Sequence, residues 1–584
     1  MASFPYRCRH LLAAMLMLTP PCLVAAASSV ETNQPWWKRA VIYEVYVRSF
    51  QDADGDGLGD LRGVVDRLPY LQRLGVDAIW LTPFYPSPQV DFGYDISDYR
   101  SIDPRFGSLA NFDRLVAEGN RRGVRVIVDL VLNHTSDQHP WFRESASSRD
   151  NPRADWYVWS DGVPVDAPSV DAVQRRFAHE GRAPPNNWTS GFGGSAWEWV
   201  PARRQFYYHR FYRQQPDLNW RNPAVERAMT DVMRFWLDRG VAGFRLDAVT
   251  SLFEDPALRD EPAAGGLDAF GMPKLRHVLT DDLPEEHAVI RRLRAMVDRY
   301  SGSRVLIGET WVDGAASMRR WYGAPALDEL QLPMDTVLGF GGPRYSPDWF
   351  RRRLREAQTG FGGGQPLFVF DNHDTERSID KFADGVHDIA IAKGIATILY
   401  ASQATALTYY GAEIGMRTRP PLRREDVRDP IGLAGWPQDK GRDGERRPMQ
   451  WTAGAQAGFT TNPSPWLPVD PDRARANVAS EEADPASLLG WTKALIALRR
   501  SEPGLQGGTM TLLDTVPPGV LAWQRLPGRG PRIWVAINMS AVAQDMALPA
   551  GAKPHALLTT EAAASHDGRA LHLPPFAIWI GRVG

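Results

Sequence analysis

Cysteine is almost absent: the 584 residues contain two, Cys8 and Cys22. Both lie within the first 27 residues, so a chain that has lost that stretch has no disulfide, no thiolate metal site and no cysteine nucleophile. Net charge is equally slight, −2 at pH 7 with no block of one sign, which excludes an electrostatic pull towards nucleic acid or an anionic membrane surface. No repeat of fixed period and no low-complexity tract is present. What remains, 43% hydrophobic and 23% charged, is the composition of a large soluble protein of two or more domains with a substantial core.

Residues 1–27 stand apart. Arg7, Arg9 and His10 precede apolar runs at 11–17 and 23–27 that end in small residues, the layout of a secretory signal peptide. Thr19, Pro20 and Pro21 interrupt the run, which argues against a membrane anchor, and they are not the small apolar residues that precede a lipidated cysteine. Cleavage near Ala26 or Ala27 removes two of the 67 basic residues and no acidic one, leaving 65 against 69, a net of −4. An exported protein, periplasmic or secreted, is expected, with no membrane attachment after cleavage.

From 36 onward, strand-like apolar runs alternate with amphipathic helical segments, the pattern of βα units around a parallel sheet. Strands are expected over 41–47, 78–81, 124–131, 243–247, 304–308, near 330–334, 367–371 and 406–410. Helices are expected over 61–74, 109–122, 223–239, 287–300 and 387–399. Eight strands in alternation predict an α/β fold, a (β/α)8 TIM barrel, with its active site at the C-terminal strand ends. Two regions break the rhythm. Residues 133–220, rich in Trp, Asn, Gly and Pro, are too long for an ordinary connection and read as a subdomain inserted after the third strand. From 501 to 584, short alternating runs between Gly/Pro turns read as a C-terminal antiparallel β domain. The barrel thus comprises 36–132 and 221–500.

Four stretches end apolar runs with acids or imidazoles: DLVLNH (129–134), GFRLDAV (243–249), VLIGET (305–310) and FVFDNHD (368–374). In GFRLDAV, Arg245 and Asp247 share one strand face. Such a pair alone is as readily a structural ion pair, and a lone acid at a strand end is commonly a cap. The joint occurrence is harder to dismiss, because a closed barrel brings Asp247, Glu309 and Asp374 onto one rim. Two carboxyls split an acetal: one attacks the anomeric carbon and the other protonates the leaving oxygen. A third acid raises a neighbour's pKa, and Arg245 would keep Asp247 ionised. His134 and His373 could donate to sugar hydroxyls.

These stretches resemble four signature regions of the α-amylase family of glycoside hydrolases, and QPDLNW (215–220) resembles the fifth, as found in the bacterial α-glucosidase and oligo-1,6-glucosidase branch. The resemblance runs from Trp36 through RPMQW (447–451). It implies that Asp247 is the nucleophile, Glu309 the general acid and base, and Asp374 the stabiliser of the transition state. It further implies that Arg245 orients Asp247, that His134 and His373 bind the terminal glucose, that Tyr94 stacks beneath that ring, and that Asp95 pairs with Arg442, ahead of Arg446, to close the pocket. A closed pocket admits only a chain end, hence an exo-acting glucosidase.

The residue after the nucleophile abuts the leaving sugar in this branch, Val in enzymes that prefer α-1,6 bonds and Ala or Thr in those that prefer α-1,4. Ala248 therefore favours maltose-type substrates, with sucrose as another candidate; the difference is worth roughly 1–3 kcal/mol. Arg447 departs from the family's usual Thr. Transglucosylation is expected, since a sugar competes with water for the covalent intermediate. An oligo-1,6-glucosidase, a trehalose synthase-like isomerase or transferase, and a sugar-binding protein on a retired barrel are the competing readings; the three acids argue against the last.

DADGDGLGD (52–60) sets Asp52, Asp54, Asp56 and Asp60 in a glycine-rich loop, and hard oxygens at alternate positions suit Ca²⁺. It is not an EF-hand, because the twelfth position is Gly63. The family resemblance adds the Leu58 carbonyl as a ligand; no organic cofactor is expected. Among the 21 Trp residues, most read as core, with Phe192 and Trp197 singled out as candidates for the pocket mouth.

Overall fold

The computed structural model describes residues 34–584 apart from 313, 343–344, 528–529 and 561–563; the expected signal segment lies outside the described residues. Within Trp36–Gly584, eight parallel strands close into a barrel. They are β1 (Val41–Val45), β2 (Ala78–Leu81), β3 (Arg125–Val131), β4 (Gly243–Asp247), β5 (Val305–Gly308), β6 (Leu332–Asp335), β7 (Leu367–Val369) and β8 (Thr405–Tyr409). Neighbours follow sequence order, and β8 closes on β1 with Ala406 opposite Val41. The expected TIM barrel is thus present. Two strands stop short of the sequence reading: β1 passes into a helical turn at Val47–Phe50, and β7 ends at Val369 before the loop that carries His373 and Asp374.

Eight longer helices follow the strands: α1 (Leu61–Leu74), α2 (Leu109–Arg122), α3 (Pro223–Asp238), α4 (Pro284–Val297), α5 (Gly314–Trp321), α6 (Pro347–Gly360), α7 (Asp388–Ala401) and α8 (Leu488–Ser501). Their limits are written in local chemistry. Asp60 caps α1 by accepting from the Gly63 N–H, and Ser108 caps α2 by accepting from Asn111; each such cap contributes about 1 kcal/mol. Asn222 and then Pro223 start α3, whose Val225, Met229, Val232, Met233 and Trp236 are buried at helical spacing.

Strand alternation divides each buried strand between two surroundings. Phe244 and Leu246 of β4 belong to the layer between barrel and helices. Arg245 and Asp247 take the opposite face, above an apolar plug formed by Ile42, Trp80, Ile127, Val305, Leu332, Leu367 and Leu407. The strand ends therefore meet a charged upper layer over an apolar base. Gly243 allows β4 to lie against β5, because a Cβ there would fall 2.0 Å from the Val305 carbonyl oxygen.

Between β3 and α3 lie a three-stranded sheet built from Trp159–Ser160, Trp197–Val200 and Gln205–Tyr208 and a small pair, Val163–Pro164 with Arg182–Ala183. After α8 come a five-stranded and a three-stranded antiparallel sheet. A hairpin, Ala263–Leu267 with Pro273–Leu275, projects between β4 and α4. No strand was expected there.

Candidate active site

At the C-terminal strand ends lies a cavity of about 240 Å³, lined by Asp91, Tyr94, His134, Phe192, Phe211, Asp247, Ala248, Glu309, Trp311, Asp374, Ile431 and Arg442. Its base is a single fully buried guanidinium. Arg245 lies 2.5 Å from Asp247, 2.9 Å from Glu309 and 3.1 Å from Asp129, with its plane over the Trp80 ring. Residues more than sixty positions apart in sequence thus lean on one cation.

Ala248 completes the link. It occupies the left-handed region at φ 43°, ψ 37°, a conformation that costs a non-glycine residue about 1–3 kcal/mol and is typical of functional sites. In this setting its N–H donates to Glu309 Oε2 at 2.9 Å. Trp311 Nε1–H donates to the other oxygen at 3.2 Å, while its half-exposed ring stacks on Phe340.

Burial and the neighbouring Glu309 and Asp129 charges raise the Asp247 carboxyl well above the usual carboxylate range, with Arg245 pulling the other way. Arg245 thus opposes the rise in Asp247, as expected of it, and serves Glu309 and Asp129 as well. Asp374 is the opposite case. Burial pushes it up, but His373, Arg442, Arg446 and Arg245 together hold it well below the ordinary value. Arg442 (2.9 Å) and Arg446 (2.7 Å) both donate to its Oδ1. Two carboxyls with opposite proton affinities therefore face one cavity.

Arg442, on the cavity wall, donates to Asp91 (2.7 Å), Asp374 (2.9 Å) and Asp429 (2.8 Å). The expected Asp95–Arg442 pair is not formed. Asp95 is fully buried and its oxygens accept from Ser87 Oγ and from the Val90 and Asp91 N–H groups, all within 3.0 Å; burial raises it to about 6. Phe92 (φ 47°) and Gly93 (φ 114°) turn the chain, so Asp91 and Tyr94 line the cavity while Asp95 knits its own loop.

Tyr94 lies on the cavity wall, its ring parallel to that of His373 at 5.3 Å and its hydroxyl donating to Asp129. His373 is not on the wall. It sits behind Tyr94, with Nδ1 2.7 Å from Glu44 and Nε2 2.7 Å from the Tyr94 hydroxyl. His134 reaches the cavity and burial lowers it to about 3, so the ring is neutral; Nδ1 meets Asn133 Oδ1 at 2.8 Å and Nε2 lies 3.0 Å from the Gln215 side-chain nitrogen.

Phe192 lines the cavity beneath Arg442. Trp197 does not; it is buried in the inserted subdomain, bonded to Asn186 Oδ1 and packed on Trp188 and Tyr208. Phe211, Trp311 and Ile431 are lining residues that sequence reasoning missed. At the hairpin tip, Phe270 packs against Gly193, where a Cβ would fall 2.7 Å from the ring, and approaches Gly435. Both glycines adjoin segments that line the cavity.

In the 52–60 loop, oxygens of Asp52, Asp54 and Asp60 lie within 4.8 Å of one another, a set compatible with a hard cation. Asp56 is not in that set: its Oδ1 accepts the Leu58 N–H at 2.7 Å.

Residues 44–508 match the protein family described as "Alpha amylase, catalytic domain". A "Probable alpha-glucosidase" of Rhizobium meliloti is 40% identical over 536 residues, 90% of this chain and 93% of that protein. "Maltase 1" of Drosophila virilis is 38% identical, over 89% of this chain and 81% of its own length. The crystal structure of an "alpha-glucosyl transfer enzyme, XgtA" superposes with a TM-score of 0.84 at 38% identity, covering 94% of this chain and 100% of its own.

Proposed function

The chain belongs to the α-amylase family and is a glycoside hydrolase, and from that premise we propose that it is an exo-acting, retaining α-glucosidase that releases terminal glucose from short α-1,4-linked substrates such as maltose, with sucrose as a second substrate. One observation carries the reading: Asp247, Glu309 and Asp374 meet in a cavity of about 240 Å³ with Arg442 on its wall, bonded to Asp91, Asp374 and Asp429. That volume is below the roughly 300–1,000 Å³ of drug-sized sites and suits one sugar unit. With the Arg442 cluster blocking one end, such a pocket admits a chain terminus and not a chain interior.

The Asp247 carboxylate attacks the anomeric carbon as the glycosidic C–O bond breaks, and Glu309 delivers its proton to the departing oxygen. Glu309 then takes a proton from water, whose oxygen displaces Asp247 and frees glucose. A second sugar hydroxyl in place of water gives transglucosylation. Asp374, anchored by two arginines, grips ring hydroxyls as charge develops at the anomeric carbon. Ala248 leaves the acceptor side open, which favours α-1,4 linkage, and the hairpin tip, with Phe270 against Gly193 beside the lining residue Phe192, favours short acceptors.

A structural Ca²⁺ held by Asp52, Asp54 and Asp60, with the Leu58 carbonyl as a further ligand, and export with loss of residues 1–27 belong to the same proposal; metal analysis and the mass of the mature protein test them. Incubation with maltose, isomaltose and sucrose tests the main reading: glucose from maltose is expected, whereas trehalose as product, or no product, rejects it. Asp247→Asn should abolish turnover and leave the melting temperature within a few degrees; activity near wild type rejects the nucleophile.

A further inference from the structure

The first barrel strand carries one charged residue the reaction scheme does not use. In VIYEV, Glu44 points inward and is fully buried. Its Oε1 lies 2.7 Å from His373 Nδ1, and its Oε2 has no hydrogen-bond partner among the described residues. The His373 ring cannot swing away, because it is held between the Tyr46 ring (5.8 Å, 21°) and the Tyr94 ring (5.3 Å, 7°), with Trp80 edge-on. Its far nitrogen, Nε2, lies 2.7 Å from the Tyr94 hydroxyl and 3.1 Å from Asp374 Oδ2.

The hydrogen positions follow from the bonding. Tyr94 has a single hydroxyl hydrogen, and it goes to Asp129 Oδ2 at 2.9 Å. Nε2 therefore faces lone pairs on both the Tyr94 oxygen and the Asp374 carboxylate, and must itself carry a hydrogen. Burial, with Arg446, Arg245 and Arg442 nearby, favours the neutral His373 ring despite Asp374, and the single hydrogen of that ring is then the one on Nε2, which leaves Nδ1 to accept. Glu44 is the donor that Nδ1 meets, so it is protonated. Its surroundings agree: burial raises this carboxyl strongly, and Asp374 and Asp129 outweigh part of the pull of Arg245, with Tyr409 of β8 also facing it.

We propose that Glu44 is a positioning residue for the reaction: through its bond to Nδ1 it fixes His373 with the hydrogen on Nε2, and this hydrogen holds Tyr94 and Asp374 in register with the cavity. The role of Asp374 in this scheme rests on the glucosidase reading above. Were the tautomer reversed, a bare Nε2 would oppose the Tyr94 oxygen and the Asp374 carboxylate at 2.7 and 3.1 Å, and both would be displaced from where the two arginines and Asp129 draw them. Displacements on the scale of 1 Å cost about 100-fold in rate.

Two near-isosteric variants separate positioning from mere packing. In Glu44→Gln the amide N–H can still donate to Nδ1, whereas in Glu44→Met nothing can. Expected are a kcat within about threefold of wild type for Glu44→Gln, and a loss of about 100-fold in kcat with KM changed less than about threefold for Glu44→Met. A Glu44→Met enzyme with wild-type kcat, or a Glu44→Gln enzyme as impaired as Glu44→Met, overturns the proposal. Should Glu44→Met fail to fold, ¹⁵N-histidine spectra of wild type and Glu44→Gln decide, the His373 signals being assigned by their absence from His373→Gln. A protonated Nε2 with a bare Nδ1 is expected in both; a protonated Nδ1 in wild type overturns the assignment. An absence of α-glucosidase activity in the wild-type protein would remove the role of Asp374, yet the same spectra would still report the tautomer.

Discussion

Replacing Arg245 removes the cation that, alone among the described residues, touches Asp129, Asp247 and Glu309 together. Breaking a buried ion pair by removing one partner costs about 3–5 kcal/mol, because the remaining charge stays desolvated. The chain escapes part of that cost by protonating the acids. Asp247 is already raised by burial, and losing at least ~3 kcal/mol of stabilisation of its anion raises it further. Below its new pKa the reactive anion is about 100-fold scarcer. Arg245→Met should therefore lower kcat/KM about 100-fold near pH 6 and move the acid limb of the kcat/KM profile, which reports the free enzyme, to higher pH. Arg245→Lys should fall between, since an ammonium cannot serve three carboxylates in fork geometry. Initial rates on maltose and an aryl α-glucoside between pH 4 and 9 measure both quantities. An Arg245→Met enzyme with an unmoved acid limb and a rate within threefold of wild type would refute the claim that this cation sets the charge state of the site.

Three further outcomes are expected. His287 sits between Glu329 (2.6 Å) and Asp282 (3.2 Å); burial lowers it, but those bonds outweigh burial and raise it to about 9. A folded pKa above the unfolded ~6.5 makes its contribution full below pH 6.5 and lost as pH climbs through about 9. The melting temperature of wild type over His287→Gln should thus shrink across that interval, and a constant difference rejects the pairing. Chelation should lower the melting temperature of wild type and leave Asp52→Asn unmoved; a wild-type melt identical in EDTA removes the calcium site. Phe270→Ala, by removing the ring packed near Gly193 and Gly435, should raise kcat/KM for maltotetraose relative to maltose several-fold, and an unchanged ratio shows that the hairpin does not limit acceptor length.

What was legible in the sequence divides along a physical line. On strands the period of two fixes which way a side chain points, so the shared face of Arg245 and Asp247 followed from spacing alone. In irregular backbone no period applies. VDFGYD offers two acids near Tyr94, and the choice between them depends on φ at Phe92 and Gly93, which composition does not reveal; hence Asp91 was passed over for Asp95. The hairpin was illegible for a related reason. AAGGL has neither β-branched residues nor alternation, and all five residues are exposed, so its pairing with Pro273–Leu275 leaves no hydrophobic trace.

Glu44 shows where the strand rule reaches further than it was taken. An acid inside the apolar run VIYEV is costly to bury unless it is bonded or protonated, and alternation aims it at the barrel interior together with Ile42. That is a site signal of the same kind as Arg245, carried by one residue instead of a motif. The same test separates it from acids such as Glu413, which is also buried but accepts from the Tyr43 and Tyr70 hydroxyls. Tyr43 lies on the outer face of β1, in the layer between barrel and helices. Parity thus aims an acid on a barrel strand inward or outward before any coordinates are known, whereas Glu413, in the turn Ala412–Ile414 beyond β8, follows no strand period.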